Sequence, residues 1–317
     1  MKYRRVGKSG LKVSEISIGA WLTYGGSVES ARAEKIIRTA IDRGVNFIDI
    51  ADIYARGEAE KVVGAAIRNL NRSDLVISSK LFWPMSDSIN DRGLSRKHIM
   101  ESIEKSLKRI GIDYLDIYFC HRWDPETEVE EIIRAMDDLV HQGKVLYWGT
   151  SVWSASQIEL AVGEANRFGG YRPSVEQPRY NMIDRHIEPE ILPTCERHGM
   201  GLMVWSPLGQ GLLTGKYNDG LPSGSRAATT NWLKKDLEAE NIEKVRQLSA
   251  LASELGITVG QLALAWNLRL PQISCVLTGA TDPKQVDENM KATDIRLDAA
   301  TLERIEAILD NNPAAQM

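Results

Sequence analysis

The sequence lacks the features that mark secreted, metal-binding and membrane-spanning proteins. Its 317 residues include only three cysteines, Cys120, Cys195 and Cys275, and no two of them share a C-x-x-C spacing. That pattern indicates neither a disulfide framework nor a metal site, so we expect a reducing, cytoplasmic location. No run of about 18 apolar residues occurs, and the basic N-terminus leads into no apolar segment, which argues against membrane insertion and export.

An excess of charge of one sign is also missing. The formal net charge is −4, which gives no general attraction to nucleic acid or to an anionic membrane surface. Hydrophobic residues make up 43% of the chain and charged residues 26%, which supplies a large core and argues against disorder. Because no shift in composition marks a boundary, we expect residues 1–317 to form a single domain.

Two periodicities take turns along the chain. The stretch "YLDIYF" at 114–119 alternates as a strand does, and the next segment has the spacing of a helix face. The apolar positions of that face are Val129, Ile132, Ile133, Met136, Leu139 and Val140. Thr127 and Glu130 form a T-x-x-E pattern, which predicts a capping box, and Ser95 is the predicted N-cap of the preceding helix.

Repeated along the chain, this alternation predicts a barrel. Strands are predicted near 16–20, 47–51, 75–79, 114–119, 147–152, 174–177, 201–205 and 274–278. Helices are predicted near 30–43, 58–68, 95–109, 128–141, 155–167, 188–198, 258–268 and 283–291. Eight such pairs favour an α/β fold with a closed (β/α)8 TIM barrel, with an open doubly wound sheet as the alternative. Residues 3–13 are expected to form a hairpin on the barrel floor, and 208–240 a long functional loop.

Polar residues stand where three successive predicted strands end. Asp49 and Tyr54 accompany the second strand, Lys80 ends the third in "VISSK", and His121 ends the fourth in "YFCH". Active sites of parallel barrels lie at this end of the strands, so we expect the four side chains to meet there. A nearby ammonium favours a phenolate, which predicts a lowered pKa for Tyr54. Asp49 would hold Lys80 charged, Tyr54 would donate a proton to a developing alkoxide, and His121 would orient the substrate.

Several stretches of the sequence resemble, in order and spacing, those of the aldo-keto reductases. They are "FIDIADIYARGEAEKVVG", "VISSKLFW", "YWGTSVWS", "WSPLGQGLLTGKY" and "VLTGATDPKQVDEN". Within that family the chain is most similar to the branch of voltage-gated potassium channel β subunits and their bacterial relatives. The resemblance implies an (α/β)8 barrel, NADPH as cofactor, and a catalytic tetrad of Asp49, Tyr54, Lys80 and His121. The channel subunits typically carry Asn at the position of His121, so its presence here favours an enzyme.

The resemblance also implies a cofactor site, although no Rossmann or P-loop pattern is present. Tyr180 would stack on the nicotinamide, Ser151 and Gln177 would hold its carboxamide, and Gly19, Ala20 and Trp21 would border the same end. The pyrophosphate and ribose would lie against the clamping loop, at Trp205, Ser206, Pro207, Leu208, Gly209, Lys216 and Arg226. The adenosine end would lie against Gly279, Thr281, Gln285, Glu288 and Asn289. Many family members place Lys and Arg around the 2′-phosphate of the adenosine, whereas this chain has Gly279 and Gln285 at those positions. The positive charge for that phosphate would therefore come from Lys216 and Arg226, and on this basis NADPH is favoured over NADH.

The substrate is predicted less closely than the cofactor. Trp21, Trp83, Trp123 and Trp153 follow strand ends and are expected to wall an apolar cleft that suits aromatic or medium-sized carbonyl compounds. The predicted function is NADPH-dependent reduction of an aldehyde or ketone to an alcohol. The alternative is an NADP(H)-sensing regulatory or binding subunit with vestigial turnover, and the resembled branch implies a homo-tetramer or octamer.

Overall fold

The computed structural model describes residues 1–21, 25–26, 28–222, 225 and 236–313. Eight parallel strands close into a barrel in which each strand pairs with the next along the chain and the last pairs with the first. This confirms the predicted (β/α)8 fold and excludes the open sheet. The barrel strands are β3 Ile16–Gly19, β4 Phe47–Asp49, β5 Val76–Leu81, β6 Leu115–Cys120, β7 Val145–Thr150, β8 Val175–Glu176, β9 Gly201–Trp205 and β10 Ile273–Thr278.

Alternation along each strand separates two apolar layers. The residues that point inward fill the barrel and include Phe47, Val76, Ile117, Val175 and Met203. Their neighbours in sequence point outward and pack under the helices, in a second and much larger cluster. Because side chains alternate along a strand, each inward position is followed two residues later by another inward position. This rule carries the inward rows up to the carboxyl ends of the strands.

The N-terminal hairpin closes the opposite end of the barrel, as predicted. Strands β1 Tyr3–Arg5 and β2 Lys12–Ser14 pair antiparallel. Val6 and Val13 join the apolar cluster that fills the barrel interior. The backbone N–H of Lys8 donates to the carbonyl of Gly199, just before β9 begins, at 2.8 Å. The hairpin therefore seals the floor, and the mouth at the carboxyl ends of the strands is the end left for a ligand.

Ten α-helices lie within the described residues. They are α1 Ser30–Asp42, α2 Glu58–Ile67, α3 Arg96–Ile110, α4 Val129–His141, α5 Ala155–Phe168, α6 Ile191–His198, α7 Ala239–Glu254, α8 Val259–Leu268, α9 Pro283–Met290 and α10 Ala299–Leu309. All eight predicted helices are present, with ends shifted by up to three residues, and α7 and α10 are additions. In the described chain no single helix is long and apolar enough to cross a membrane, and only α7 and α8 taken together, bent by 91°, reach that length.

One of the two predicted helix caps forms and the other does not. The Ser95 hydroxyl accepts a hydrogen bond from the backbone N–H of His98, which confirms it as the N-cap of α3. The capping box at Thr127 is wrong, because α4 begins after Glu128, which makes no side-chain cap. The hydroxyl of Thr127 donates instead to the Asp124 carboxylate at 2.9 Å. That carboxylate also accepts from the Leu94 backbone, so it ties two loops at the barrel mouth together.

Candidate active site

The inward rows end in a polar layer at the mouth of the barrel. Asp49 lies two residues beyond Phe47 on β4, and Lys80 lies four beyond Val76 on β5. His121 follows the inward Phe119 by the same step of two, just past the end of β6. Because every second residue of a strand points inward, the polar residues at the ends of these three strands point toward the same space as the apolar residues below them.

The structure brings Asp49, Lys80 and Tyr54 into direct contact. The fully buried Lys80 ammonium donates to Asp49 Oδ2 at 2.6 Å and to the Ile50 carbonyl at 2.8 Å. Its third contact is the Tyr54 hydroxyl oxygen at 3.3 Å. An ammonium has three donors, and all three of these are engaged. Since Lys80 occupies an acceptor position on the Tyr54 oxygen, the phenol proton is directed away from Lys80.

The predicted lowering of the Tyr54 pKa is wrong. Burial raises the pKa of the Tyr54 phenol well above its ordinary value, and the negative charge of Asp49 raises that pKa further. Burial also lowers the pKa of Lys80, against the opposing effect of Asp49. The positive charge of Arg122 lowers the pKa of Tyr54, but burial and Asp49 outweigh it. Tyr54 is therefore protonated near neutral pH and holds a proton that it can give.

His121 completes the group on the side away from Lys80. Its ring lies edge-on to the ring of Tyr54, with 5.9 Å between centroids. Burial, with Lys80 and Arg122 adding to it, holds the pKa of His121 well below its ordinary value, so the imidazole is neutral. Its Nδ1 is buried with no hydrogen-bond partner among the described residues. A neutral imidazole with unused hydrogen-bonding capacity at the mouth suits it to orient a polar ligand.

Backbone strain is concentrated around the same mouth. Among the described residues, six that are not glycine have positive φ, and five of them follow barrel strands. These five are Ala55, Arg56, Val152, Ser206 and Gln210. Val152 is β-branched, for which a φ of 58° is a genuine outlier, and its N–H is held by the buried carboxylate of Glu176 at 2.7 Å. Strain of this kind persists only where the surroundings enforce it, and it collects at ligand sites.

Three of the residues predicted to contact nicotinamide lie in the polar layer of the barrel mouth. Gln177 is buried, and its side-chain amide donates to Asp49 Oδ1 at 2.9 Å. Ser151 is also buried and donates to the Gln177 carbonyl at 2.9 Å. Gly19 ends β3 beside Asp49 in the strand register. Of their neighbours, Ala20 is fully buried, and Trp21 lies at the rim.

The structure contradicts the prediction that Tyr180 stacks on the nicotinamide. Tyr180 belongs to the outer apolar layer and has no exposed surface. Its ring stacks on Trp266, 5.2 Å between centroids, and its hydroxyl donates to the Glu188 carboxylate. The inward aromatic residue is Trp205, which packs on the barrel-filling cluster and meets Trp21 edge-on at 6.0 Å. Counting in twos from Met203 finds Trp205, and that signal was available in the sequence.

The other predicted cofactor residues follow β9 and β10, whose carboxyl ends lie at the mouth. Lys216 is exposed, and its side chain lies over Gly211. Asp282 caps α9, and the amide oxygen of Gln285 accepts from the Thr281 backbone at 2.8 Å. The carboxylate of Glu288 accepts a hydrogen bond from the side-chain amide of Gln261. The remaining members of this set are Ser206, Pro207, Leu208, Gly209, Gly279 and Asn289. Arg226 lies outside the described residues.

The four tryptophans do not form one wall. Trp83 lies beside the polar layer, 6.4 Å from the His121 ring, and 38% of it is exposed. Trp21 packs edge-on against Trp205. Trp123 packs edge-on against Trp153 at 4.8 Å, and Trp153 has no exposed surface. The prediction that Trp153 faces the cleft is therefore contradicted, because that ring is enclosed by the packing beneath Trp123.

Two residues near the site escaped the sequence analysis. The Ser78 hydroxyl donates to Asp49 Oδ1 at 2.7 Å, so it shares the carboxylate with Lys80 and Gln177. Arg122 stands directly after His121, at the rim beside Trp83. Ser78 is inward by the same period of two as Lys80, so the pattern could have found it. Nothing in the sequence around Arg122 separates it from an ordinary solvated arginine.

A lysine, an aspartate, a tyrosine and a histidine thus stand together at the mouth of a closed parallel barrel. Residues 15–310 match the Aldo/keto reductase family, and the chain belongs to that family. It is similar to a probable voltage-gated potassium channel subunit beta of Arabidopsis thaliana, 48% identical over 99% of this chain and 98% of that protein. A protein of Oryza sativa subsp. japonica with the same description is 46% identical, again over 99% of this chain and 98% of its own. A putative voltage-gated potassium channel subunit beta of Schizosaccharomyces pombe is 43% identical over 98% of this chain and 94% of its own.

Proposed function

We propose that the chain is an NADPH-dependent reductase that converts an aldehyde or ketone to the corresponding alcohol. The observation that carries this proposal is the chain of contacts from Asp49 through Lys80 to Tyr54, with the neutral His121 beside it. Such an arrangement can deliver one proton to an oxygen that becomes negatively charged as a carbonyl group is reduced. The membership of the Aldo/keto reductase family supports the same class of reaction.

In this mechanism NADPH, when bound, supplies the hydride that reduces the carbonyl carbon. Tyr54 donates its phenol proton to the carbonyl oxygen, since the Lys80 contact leaves that proton free to point to the substrate. Lys80 stabilises the phenolate that remains, and Asp49 keeps the lysine in place. His121 hydrogen-bonds the same substrate oxygen and orients it toward Tyr54.

The residues at the mouth fit a dinucleotide. Ser151 and Gln177 provide hydroxyl and amide groups beside Asp49, as a carboxamide requires. Trp205 offers an inward aromatic ring in place of Tyr180. The start of α9, where Asp282 caps the helix, and the exposed Lys216 provide favourable positions for phosphate. We propose NADPH in preference to NADH on the charges of Lys216 and Arg226.

A second candidate function rests on the relatives. Proteins that cover nearly the whole chain at 43–48% identity are described as potassium channel β subunits. The alternative is therefore a subunit that senses NADP(H), belongs to a larger assembly as a homo-tetramer or octamer, and turns substrate over only slowly. The histidine at position 121 favours the reductase, since an orienting imidazole serves turnover rather than nucleotide binding alone.

Two measurements on the same preparation separate the candidates. NADPH binding is followed by the change in its fluorescence, and NADPH oxidation is followed by absorbance over a panel of aldehydes and ketones. A reductase binds the nucleotide and oxidises it at a rate that saturates with at least one carbonyl compound. Tight nucleotide binding with no oxidation above the background rate across the panel would establish the sensing subunit. Light scattering of the same sample measures the oligomeric state.

A further inference from the structure

Arg122 lies at the rim of the proposed active site. It directly follows His121, and its guanidinium carbon is 5.7 Å from the centroid of the Trp83 ring. That ring is 6.4 Å from the ring of His121, which in turn is 5.9 Å from the ring of Tyr54. The guanidinium is therefore one aromatic ring away from the groups that would hold the carbonyl oxygen. A substrate that packs on the Trp83 ring would therefore have the imidazole of His121 on one side and the guanidinium of Arg122 on another.

The guanidinium of Arg122 is partly buried but has no carboxylate partner. Among the described residues, its one hydrogen bond goes to the carbonyl oxygen of His121, the preceding residue. All Asp and Glu residues of the protein lie within the described residues, and none of them forms an ion pair with Arg122. Other arginines with little exposure, such as Arg72, Arg109 and Arg185, each form an ion pair with an acid. Arg122 thus has guanidinium donors left for another molecule.

The charge of Arg122 acts on the site and is not neutralised within it. After burial and Lys80, Arg122 is the third cause that lowers the pKa of His121. The acid nearest in effect is Glu176, whose two oxygens accept from the Thr150 hydroxyl and the Val152 backbone. Glu176 acts on Arg122 through its charge, and no hydrogen bond joins the two side chains among the described residues. The Arg122 side chain is partly buried, and this burial lowers the pKa of its guanidinium.

We propose that Arg122 is a subsite for a carboxylate carried by the carbonyl substrate. The proposal rests on the reductase activity proposed above and deepens it by naming the substrate class. A guanidinium presents a planar fork of donors that matches the two oxygens of a carboxylate. The body of the substrate packs against Trp83, its carbonyl meets Tyr54 and His121, and its carboxylate meets Arg122. The preferred substrates are therefore acidic aldehydes or ketones, such as aromatic or short aliphatic oxo acids, in place of neutral apolar ones.

The turnover test compares two substrates of the same shape. para-Carboxybenzaldehyde and its methyl ester differ in the charge at the far end of the ring. We expect the wild-type kcat/KM to favour the acid by about 10-fold or more, the effect of one charge-assisted hydrogen bond. In Arg122→Gln this ratio falls to about one or below, and Arg122→Lys retains part of it because the charge is kept. Arg68→Gln is the matched control, an exposed arginine at the end of α2, and it keeps the wild-type ratio.

A binding test separates this subsite from the reductase activity. Titration calorimetry of the NADP⁺-loaded protein with benzoate and with benzamide measures whether the charge is recognised when nothing is turned over. We expect benzoate to bind at least about 10-fold more tightly than benzamide in the wild type, and the difference to vanish in Arg122→Gln. Arg122-dependent benzoate binding without any aldehyde reduction would support the subsite and overturn the proposed activity. Equal binding of the two ligands, or an acid-to-ester ratio unchanged by Arg122→Gln, overturns the subsite while leaving the reductase intact.

Discussion

Two buried carboxylates, Asp49 and Asp52, stand three residues apart on opposite sides of the barrel wall. Asp49 points into the barrel and accepts from Ser78, Lys80 and Gln177. Asp52 lies in the outer layer, where Ser102 of α3 donates to it at 3.1 Å and its Oδ1 has no hydrogen-bond partner in the described structure. Neither residue exposes more than 3% of its surface. The two aspartates are thus buried to a similar extent but differ in their hydrogen-bond and ion-pair partners.

The difference in partners sets the charge of each acid. Burial, then the neighbouring Glu60, raises the pKa of Asp52 to about 7, so Asp52 holds a proton through much of the acidic range. Asp49 forms an ion pair with the ammonium of Lys80 at 2.6 Å. Glu60, the other acid on the outer side, is paired with Arg109. Burial alone therefore does not suit an acid to proton transfer. Asp49 is suited to it because Lys80 and the phenol of Tyr54 lie beside it, whereas Asp52 forms no ion pair with a cation in the described chain.

The largest expected effect is on kcat, and it should distinguish Lys80 inside the barrel from Arg109 on the outer side of the barrel wall. Lys80→Met removes the charge that would stabilise the Tyr54 phenolate, so kcat for aldehyde reduction should fall by about 10²–10⁴-fold. Arg109→Met removes the partner of Glu60 on the outer side and should lower stability but leave kcat per folded molecule within a few-fold. Steady-state kinetics, normalised to the folded fraction by circular dichroism, measures both. Similar losses of kcat in the two variants would remove the distinction between the inner and outer pairs.

The two aspartates should also differ in their effect on stability. Asp49→Asn leaves Lys80 buried without a carboxylate, which is expected to lower the free energy of unfolding by about 3 kcal/mol. Asp52→Asn exchanges an acid that is largely protonated for a neutral amide of the same shape, so its loss near pH 6 should stay below about 1 kcal/mol. Urea unfolding at that pH measures both changes. The comparison breaks if Asp52→Asn proves the more damaging of the two.

The raised pKa of Asp52 predicts a particular pH window. Because its pKa rises from 3.8 in the unfolded chain to about 7 in the folded one, the folded state binds the proton more tightly. The stability that this provides is complete below the unfolded pKa and is lost as pH rises through the folded pKa. Relative to Asp52→Asn, the wild type should lose stability between about pH 4 and pH 7 and change little above that.

The same pair of proteins supplies the control for that window. Burial raises the pKa of Glu176 to about 7 as well, but its contribution is common to wild type and variant and cancels in the difference. Unfolding free energies measured in steps across the window test the sign directly. A difference that is flat with pH would show that Asp52 is ionised throughout.

The smallest effects come from the two serines that donate to these acids. Ser78→Ala removes a hydrogen bond to the paired Asp49, which is expected to lower stability by about 1.5–3 kcal/mol. Ser102→Ala removes the hydroxyl that donates to Asp52, and about 0.5–1.5 kcal/mol is expected for a bond to a neutral acid. Thermal unfolding near pH 6 compares the two. Equal losses would mean that both carboxyl groups carry the same charge.

Most of the barrel could be predicted from the sequence, because the periods of two and 3.6 are imposed by geometry at every element. Helix α7 was missed because its first turns carry few apolar residues, with burial beginning at Val245. The resemblance implied Tyr180 as the stacking residue, whereas the period of two from Met203 indicates Trp205 as the inward aromatic residue. The protonation of Tyr54 could not be predicted, since it depends on the distance from Lys80 to Asp49 and on burial that only the folded chain defines.

The central claim is that Tyr54 gives the proton at the mouth of the barrel, and one variant tests it most directly. Tyr54→Phe removes a single oxygen and leaves the ring that packs beside His121. NADPH affinity and NADPH oxidation with a saturating aldehyde are measured on wild type and variant, both shown to be folded. A proton donor predicts a loss of about 10²–10⁴-fold in kcat with NADPH affinity changed by no more than a few-fold. A folded Tyr54→Phe protein that binds NADPH and reduces the aldehyde at the wild-type rate would contradict the mechanism.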